Sequence, residues 1–338
     1  MSRALVTGAT GFVGSNLVAY LRSLGWRVQC LVRDKGLAAP LEQLGAELHL
    51  GHLGAADGVE RATRGTDIVF HVAGRVRALK REQFESDNVV GTRHVMAAAA
   101  AQHSPPVVVC VSSLAAGGPS HDGAPRNESD RDQPISAYGR SKQSAERAAA
   151  TFTDQVPLSV IRPPIIFGDA DRASLAMFRG VRMLRLHPVP GFRSFSVSLV
   201  HVADLCAAMV RIAEKGERVG GAGNGAVQQG EGIYYVAAER PLPYGELGKL
   251  VGQALGCAVI SLPLPLAFFW IVGGAMEVVG QVRGQPGVLN LDKIREAVAP
   301  GWVCSDEKIR RQLAYRPAAP LEERFAETVA WYRRHGWL

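Results

Sequence analysis

Cysteine is scarce and scattered in this 338-residue chain. Its five thiols, Cys30, Cys110, Cys206, Cys257 and Cys304, are odd in number, and no two stand at CxxC spacing. That excludes a zinc knuckle or disulfide framework and points to reduced thiols in a reducing compartment. Charge is sparse too, at 20% of residues with a net excess of +7, and 47% of the chain is apolar. Such a composition excludes intrinsic disorder. The 37 glycines and 19 prolines follow no period, which excludes collagen-like and low-complexity classes. The nine histidines never reach ligand-like spacing, so no metal site is expected. His71 and His201 fall in strand patterns and are expected to be satisfied core or loop residues. No basic stripe interleaved with aromatics occurs, so no nucleic-acid partner is expected. The opening segment MSRALVTGATG lacks the apolar stretch of a signal peptide, and the expected location is cytoplasmic.

Against this background the first thirty residues are informative. Arg3–Thr7 reads as a short buried strand. Gly8, Gly11 and Gly14 follow at G-x-x-G-x-x-G spacing. Ser15–Leu24 has helical periodicity through Leu17, Val18 and Leu21, and Val28–Val32 is a second strand. Glycine permits a tight turn and close backbone approach to a pyrophosphate, and the helix N-terminus aims N–H groups at the anion. Strand candidates continue at Leu48–Leu50, Asp67–Val72, Pro106–Ser112 and Leu158–Ile161. Helices are expected over Asp87–Gln102 and Ala137–Phe152. Continuous apolar strands alternating with helices imply a parallel sheet covered on both faces. Pro119–Gln133 reads as a polar surface loop and Val219–Gly232 as a flexible one. Strands near 197–201 and 233–236 are expected to rejoin the sheet, and Phe325–His335 forms a C-terminal helix. The expected fold class is α/β, a Rossmann-type doubly wound parallel sheet over residues 1–165. A smaller, mixed C-terminal substrate-binding lobe takes 166–338.

Tyr138 is followed four residues later by Lys142, and on a helix these share a face. The pair gains specificity from its company: the glycine turn at Gly8 and Ser112-Ser113 at the end of an apolar strand.

On these motifs the sequence resembles the extended short-chain dehydrogenases/reductases, the NAD(P)-dependent epimerase/dehydratase-like group. The resemblance covers essentially the whole chain. It rests on Thr7–Gly14, Phe70–Gly74, Asn88–Thr92, Ser112–Gly118, Tyr138–Lys142, Arg162-Pro163-Pro164 and Val200–Leu205. It implies a cofactor cradle of Gly8, Thr10, Gly11, Phe12, Val13 and Gly14. His52, Leu53, Val72, Ala73, Gly74, Tyr138, Lys142, Pro163 and Ile165 would also contact the cofactor. It further implies acid–base catalysis around hydride transfer. Tyr138 would exchange a proton with the substrate oxygen, its pKa lowered by Lys142 and the nicotinamide charge. Ser113, five positions before Gly118, would orient the substrate, and Asn88 would hold a water in a proton relay.

Arg33 is the first residue after the second strand, with Lys35 close by. An arginine there accepts a 2′-phosphate, which favours NADP(H), with NAD(H) as the alternative. The positive balance of the chain finds its sharpest local expression in these two residues. His52 stands where relatives often carry an Asp that contacts adenine.

Two departures bear on the reaction. Leu114 and Ala115 replace the Asp-Glu pair of 4,6-dehydratases, and Ile165 replaces the Asn typical of nucleotide-sugar enzymes. Both argue for a secondary alcohol or ketone on an apolar, steroid-, polyketide- or lipid-like molecule. The C-terminal region resembles 3β-hydroxysteroid dehydrogenases and dihydroflavonol reductases. A nucleotide-sugar epimerase and a non-catalytic NADP-binding regulator or scaffold are the alternatives. A homodimer through the helices near 88–102 and 137–152 is typical of relatives.

Finally, Leu250–Met276 contains no charged residue at all. Leu262-Pro263-Leu264-Pro265 divides it into pieces short for a bilayer span. The second piece, Leu266–Val282, could be a buried or dimer-packed core helix, an apolar lid on the substrate cleft, or a peripheral membrane contact.

Overall fold

A computed structural model describes every residue except 122, 123, 221–228, 286, 288 and 289. The main sheet begins with β1 (Arg3–Thr7), β2 (Arg27–Val32), β3 (Glu47–Leu50) and β4 (Ile68–His71). It continues with β5 (Val107–Val111), β6 (Leu158–Arg162) and the strand Ile233–Tyr235. All seven are parallel, and the spatial order from one edge is Ile233–Tyr235, β6, β5, β4, β1, β2, β3. The strand order therefore reverses between β1 and β4, the place where such sheets open a crevice at their carboxyl ends. β4 and β6 are buried along their whole length, as a sheet covered on both faces requires. One layer includes Leu17, Val18 and Leu21 of the Phe12–Ser23 helix together with Leu205, Met209 and Ile212. The other includes Val59, Val95, Met96 and Ala149.

Element types follow the sequence pattern, with informative differences. The helix expected over 87–102 is split. A π-helical turn, Glu85–Val90, runs into an α-helix at Gly91–Ala100. Strand Ile233–Tyr235 takes the sheet edge, but Leu199–His201 does not rejoin the sheet. It pairs with Ile165–Phe167 instead, while Ser196–Val197 pairs with Leu242–Pro243. The segment 119–133 is not simply a surface loop. Arg126 and Glu128 are buried, Arg126 N–H donates to Val303 O at 2.9 Å, and Glu128 Oε1 accepts from Tyr235 N–H at 2.9 Å. The segment thus stitches the C-terminal lobe to the sheet edge. Residues 122 and 123 of it, and 221–228 of the loop expected over 219–232, lie outside the described residues.

The second lobe packs around Phe167, Phe178, Leu247, Phe325 and Tyr332. Phe167 and Phe325 stack with centroids 4.3 Å apart. Its C-terminal helix starts earlier than expected, at Leu321, and ends at Arg334. The uncharged run is divided at the prolines into a strand, Ile260–Leu264, and an 18-residue helix, Leu266–Arg283. That helix is no core element: only 11% of it is buried. Nor is it too short, since by length and composition alone it could cross a membrane.

Candidate active site

Four loops meet at the carboxyl edge of β1, β4, β5 and β6. The first is the glycine turn. Gly8 has φ +69°, and a Cβ there would lie 2.7 Å from the Ala73 backbone. Only glycine lets the turn after β1 press against the segment after β4. Gly14 faces Gly8 and Ala9 just as closely, with a built Cβ 2.8 Å from Ala9 Cα. The Phe12–Ser23 helix starts at Gly11 with no side-chain cap. Its first N–H groups, on Phe12, Val13 and Gly14, are therefore left for an anion, with exposed Thr10 beside them. This cradle fits a dinucleotide pyrophosphate.

At the end of β2, Arg33 and Lys35 are exposed. The Asp34 carboxylate is occupied: it accepts N–H bonds from Gly36 at 2.7 Å and Leu37 at 3.4 Å, capping the Lys35–Gln43 helix. His52 is exposed, and Leu53 is half-buried, with its side chain against Gly91.

The catalytic candidates lie on the other side of the crevice. Ser113 ends the strand β5 segment and its Oγ accepts from Ala115 N–H at 3.1 Å. Pro163 O accepts from Leu114 N–H at 2.9 Å, which fixes the Pro163–Ile165 segment beside the serine loop. The Ala137–Ala150 helix carries Tyr138 and Lys142 and is capped by Ser136, whose Oγ accepts from Gly139 N–H at 2.9 Å. Lys142 is buried and its Nζ donates to Val111 O at 2.6 Å. A Cβ on Gly74 would lie 3.3 Å from Lys142 Nζ and 3.4 Å from Asn88 Oδ1. Gly74 is thus the point where the cofactor loop, Lys142 and Asn88 converge.

Burial pushes the Tyr138 phenol up to about 12, and Ser113 opposes this by hydrogen bonding to it. Lys142, whose Nζ donates to Val111 O, does not offset this rise. Burial also lowers the pKa of Lys142 itself.

Asn88 is 2% exposed and sits in the π-helical turn, a feature enriched at functional sites. Its Oδ1 accepts from Arg75 N–H at 2.7 Å. Its Nδ2 donates to Arg75 O at 3.1 Å and Ser141 Oγ at 2.9 Å. Ser141 Oγ in turn donates to Tyr138 O at 2.7 Å. Asn88 therefore ties the loop after β4 to the helix that bears Tyr138. Beneath it, Thr92 Oγ1 donates to Asn88 O, so His71 Nε2–H donates to Thr92 at 3.0 Å and Nδ1 accepts from Thr7 Oγ1 at 2.8 Å. Burial drops the His71 pKa to about 3, keeping it neutral. His71 is a satisfied core residue, whereas the Nε2 of buried His201 has no hydrogen-bond partner among the described residues.

Sequence reasoning missed a group behind Tyr138. The Asp292 carboxylate accepts from Ala137 N–H at 2.8 Å and Tyr138 N–H at 3.2 Å. Lys293 Nζ lies 4.9 Å from the Tyr138 ring centroid, and Phe84 is 6.3 Å away. No local signal marks residues some 150 positions distant as partners of this helix.

The NAD dependent epimerase/dehydratase family profile matches residues 4–224, which span the glycine turn, Ser113, Tyr138 and Lys142. The chain belongs to this family. Within it, the chain is of the extended short-chain dehydrogenase/reductase type. It is 29% identical over 333 residues to the ceramide reductase of Caulobacter vibrioides, covering 98% of this chain and 95% of that one. It is 32% identical over 223 residues to a 4-hydroxy-2-methyl-3-oxo-4-farnesyl-3,4-dihydroquinoline-1-oxide ketoreductase of Stigmatella aurantiaca, covering 63% and 65% of the two chains. The crystal structure of gox2253 superposes with a TM-score of 0.78 at 26% identity, with both chains covered in full. The other segments that define this epimerase/dehydratase-family chain, Phe70–Gly74 and Arg162–Pro164, both border the crevice described above.

Proposed function

We propose that the protein is an NADP(H)-dependent oxidoreductase that interconverts a ketone and a secondary alcohol on an apolar, lipid-like molecule. The observation that carries this reading is the convergence of Ser113, Tyr138 and Lys142 at the crevice beside Gly74, with Tyr138 kept protonated. When bound, the nicotinamide supplies the hydride exchanged with the carbonyl carbon. Gly8, Thr10, Gly11, Phe12, Val13 and Gly14 would hold the pyrophosphate. Val72, Ala73, Gly74, Pro163 and Ile165 would flank the nicotinamide half, and His52 and Leu53 the adenine half.

Ser113 Oγ orients the substrate oxygen, and Tyr138 exchanges a proton with that oxygen. A phenol pushed up to about 12 is fully protonated at neutral pH. It is ready to donate to the oxygen of a carbonyl undergoing reduction. Oxidation runs the same step in reverse, with the ionised phenol taking the proton from the alcohol. Asn88 keeps Gly74 and the tyrosine helix in register.

Substrate class follows from what the site lacks and what the relatives act on. Leu114 and Ala115 are buried and apolar, so no second acid–base pair flanks Ser113 for elimination. Ile165 is 41% exposed at the crevice, an apolar contact where a sugar-binding amide would be polar. A relative named for ceramide, aligned over 98% of the chain, agrees with a long-chain substrate. The NADP(H) preference is supported by exposed Arg33 and Lys35 and by the commitment of Asp34 to helix capping.

The reading is tested by screening long-chain ketones and alcohols, ceramide-type lipids included, with NADH and NADPH in parallel. Reduced-cofactor absorbance reports turnover. An epimerase would give product without net absorbance change, and a scaffold would bind cofactor without turning over any substrate. Arg33→Asp should collapse the preference for NADPH. An unchanged preference would remove the NADP(H) assignment.

A further inference from the structure

We propose that the outer face of the Leu266–Arg283 helix docks on an anionic lipid bilayer, lying in its surface rather than crossing it. This goes beyond the reaction proposed above and does not depend on it.

The helix has two faces. Gly273 and Gly280 are its buried residues, and Glu277 lies between them at helical spacing. Gly273 is packed so tightly on Ile294 that any Cβ would collide with it. Glu277 Oε2 accepts from Leu291 N–H at 3.0 Å. The sole acid of the helix is thereby turned onto the protein. Leu291 begins the Leu291–Ala297 helix, which holds the N-terminus of the Tyr138 helix through Asp292. These contacts anchor one face of the apolar helix to the body of the enzyme, so it lies along the protein surface.

The opposite face carries Ile271 (72% exposed), Val278 (59%) and Val282 (84%), with Phe268 one turn before. A surface this apolar is unusual on a protein that meets only water. The patch extends beyond the helix. Ile260 and Leu262 of the preceding strand are exposed, as is Phe192 at 77%. Phe192 follows Gly191, which borders Leu266.

The charges around this patch decide its occupant. Arg193 is exposed beside the start of the helix, Arg283 at its end, and Arg185 beside Ile260. An apolar face flanked by exposed arginines suits acyl chains beneath anionic headgroups. A second copy fits less well. In a two-fold contact through antiparallel helices, Arg193 of each copy would approach Arg283 of the other, setting like charges together.

The test is flotation of the full chain with vesicles of phosphatidylglycerol and phosphatidylcholine, read with quenching of Trp fluorescence by brominated acyl chains. Trp270→Phe identifies the share of quenching due to the helix. Binding should fall about tenfold or more in an Ile271→Glu, Val278→Glu double variant, which alters only solvent-facing side chains and should keep its melting temperature. Arg193→Gln and Arg283→Gln should each weaken binding about fivefold. Affinity for NADPH, titrated without vesicles, should be unchanged in all four, which separates this surface from the cofactor crevice. Failure to float would overturn the proposal. So would equal binding to purely zwitterionic vesicles, or a dimer in sedimentation equilibrium that Ile271→Glu dissociates while vesicles are ignored.

Discussion

Gly14→Ala should cripple cofactor binding while leaving the rest of the fold in place. A Cβ at residue 14 would sit 2.7 Å from Gly8 C and 2.8 Å from Ala9 Cα, and closer still to the Gly8 carbonyl oxygen. Ordinary carbon contacts need about 3.5–4.0 Å, so the Gly8–Ala9 backbone must retreat by roughly 1 Å. It cannot retreat freely, because Gly8 is pressed against the Ala73 backbone on its other side. Overpacking of this kind costs about 1–3 kcal/mol of stability. The larger effect is on the anion site. Hydrogen bonds to charged groups contribute about 1.5–3 kcal/mol each, and a 1 Å shift misaligns the free N–H groups of Phe12 and Val13. Losing one of them weakens dinucleotide binding by about tenfold to a little over a hundredfold. Titration of NADPH by fluorescence, alongside thermal melting, measures both effects. A folded Gly14→Ala protein that binds NADPH like the parent would refute the assignment of this turn as the pyrophosphate cradle.

Acid should weaken the fold through His71. Its pKa is lowered from 6.5 to about 3, chiefly by burial and secondly by Lys142. Below pH 6.5 the unfolded chain takes up a proton that the folded chain refuses, so stability falls as pH drops from about 6.5 toward 3. His71→Gln should be less stable at neutral pH yet show a shallower acid limb in urea unfolding; an unchanged limb would exclude His71 as a source. Asp292→Asn removes a carboxylate from the N-terminus of the Tyr138 helix. It should cost about 0.5–2 kcal/mol and lower kcat more than it raises KM; equal kinetics would mean that this contact does not position Tyr138.

The sheet was legible because its strands are continuous apolar runs separated by glycine turns, as in ALVT before Gly8 and VVVCV before Ser112. The candidate site motifs were legible because their spacings are local: Gly8 to Gly14, Ser113 to Gly118, Tyr138 to Lys142. Asp292 and Lys293 were not, because their role arises only when the Leu291–Ala297 helix folds back on the Tyr138 helix. The strand at Leu199–His201 was misplaced for a related reason. Its apolar pattern suits any sheet, and only tertiary structure pairs it with Ile165–Phe167. Polar composition misled at 119–133, where Arg126 and Glu128 are buried: Arg126 Nη2 donates to Arg131 O, and Glu128 Oε1 accepts from Tyr235 N–H. For the Leu266–Arg283 helix, composition left core, lid and membrane contact open; only tertiary structure shows that many of its bulky residues face outward.

The central claim is that Tyr138 delivers the proton to the substrate oxygen. Single-turnover oxidation of NADPH by a long-chain ketone, compared between the parent and Tyr138→Phe, tests it most directly. The account predicts that NADPH binds both proteins equally and that only the parent oxidises it, with a loss of at least about a hundredfold in the variant. Turnover surviving in Tyr138→Phe at the parent rate would contradict it.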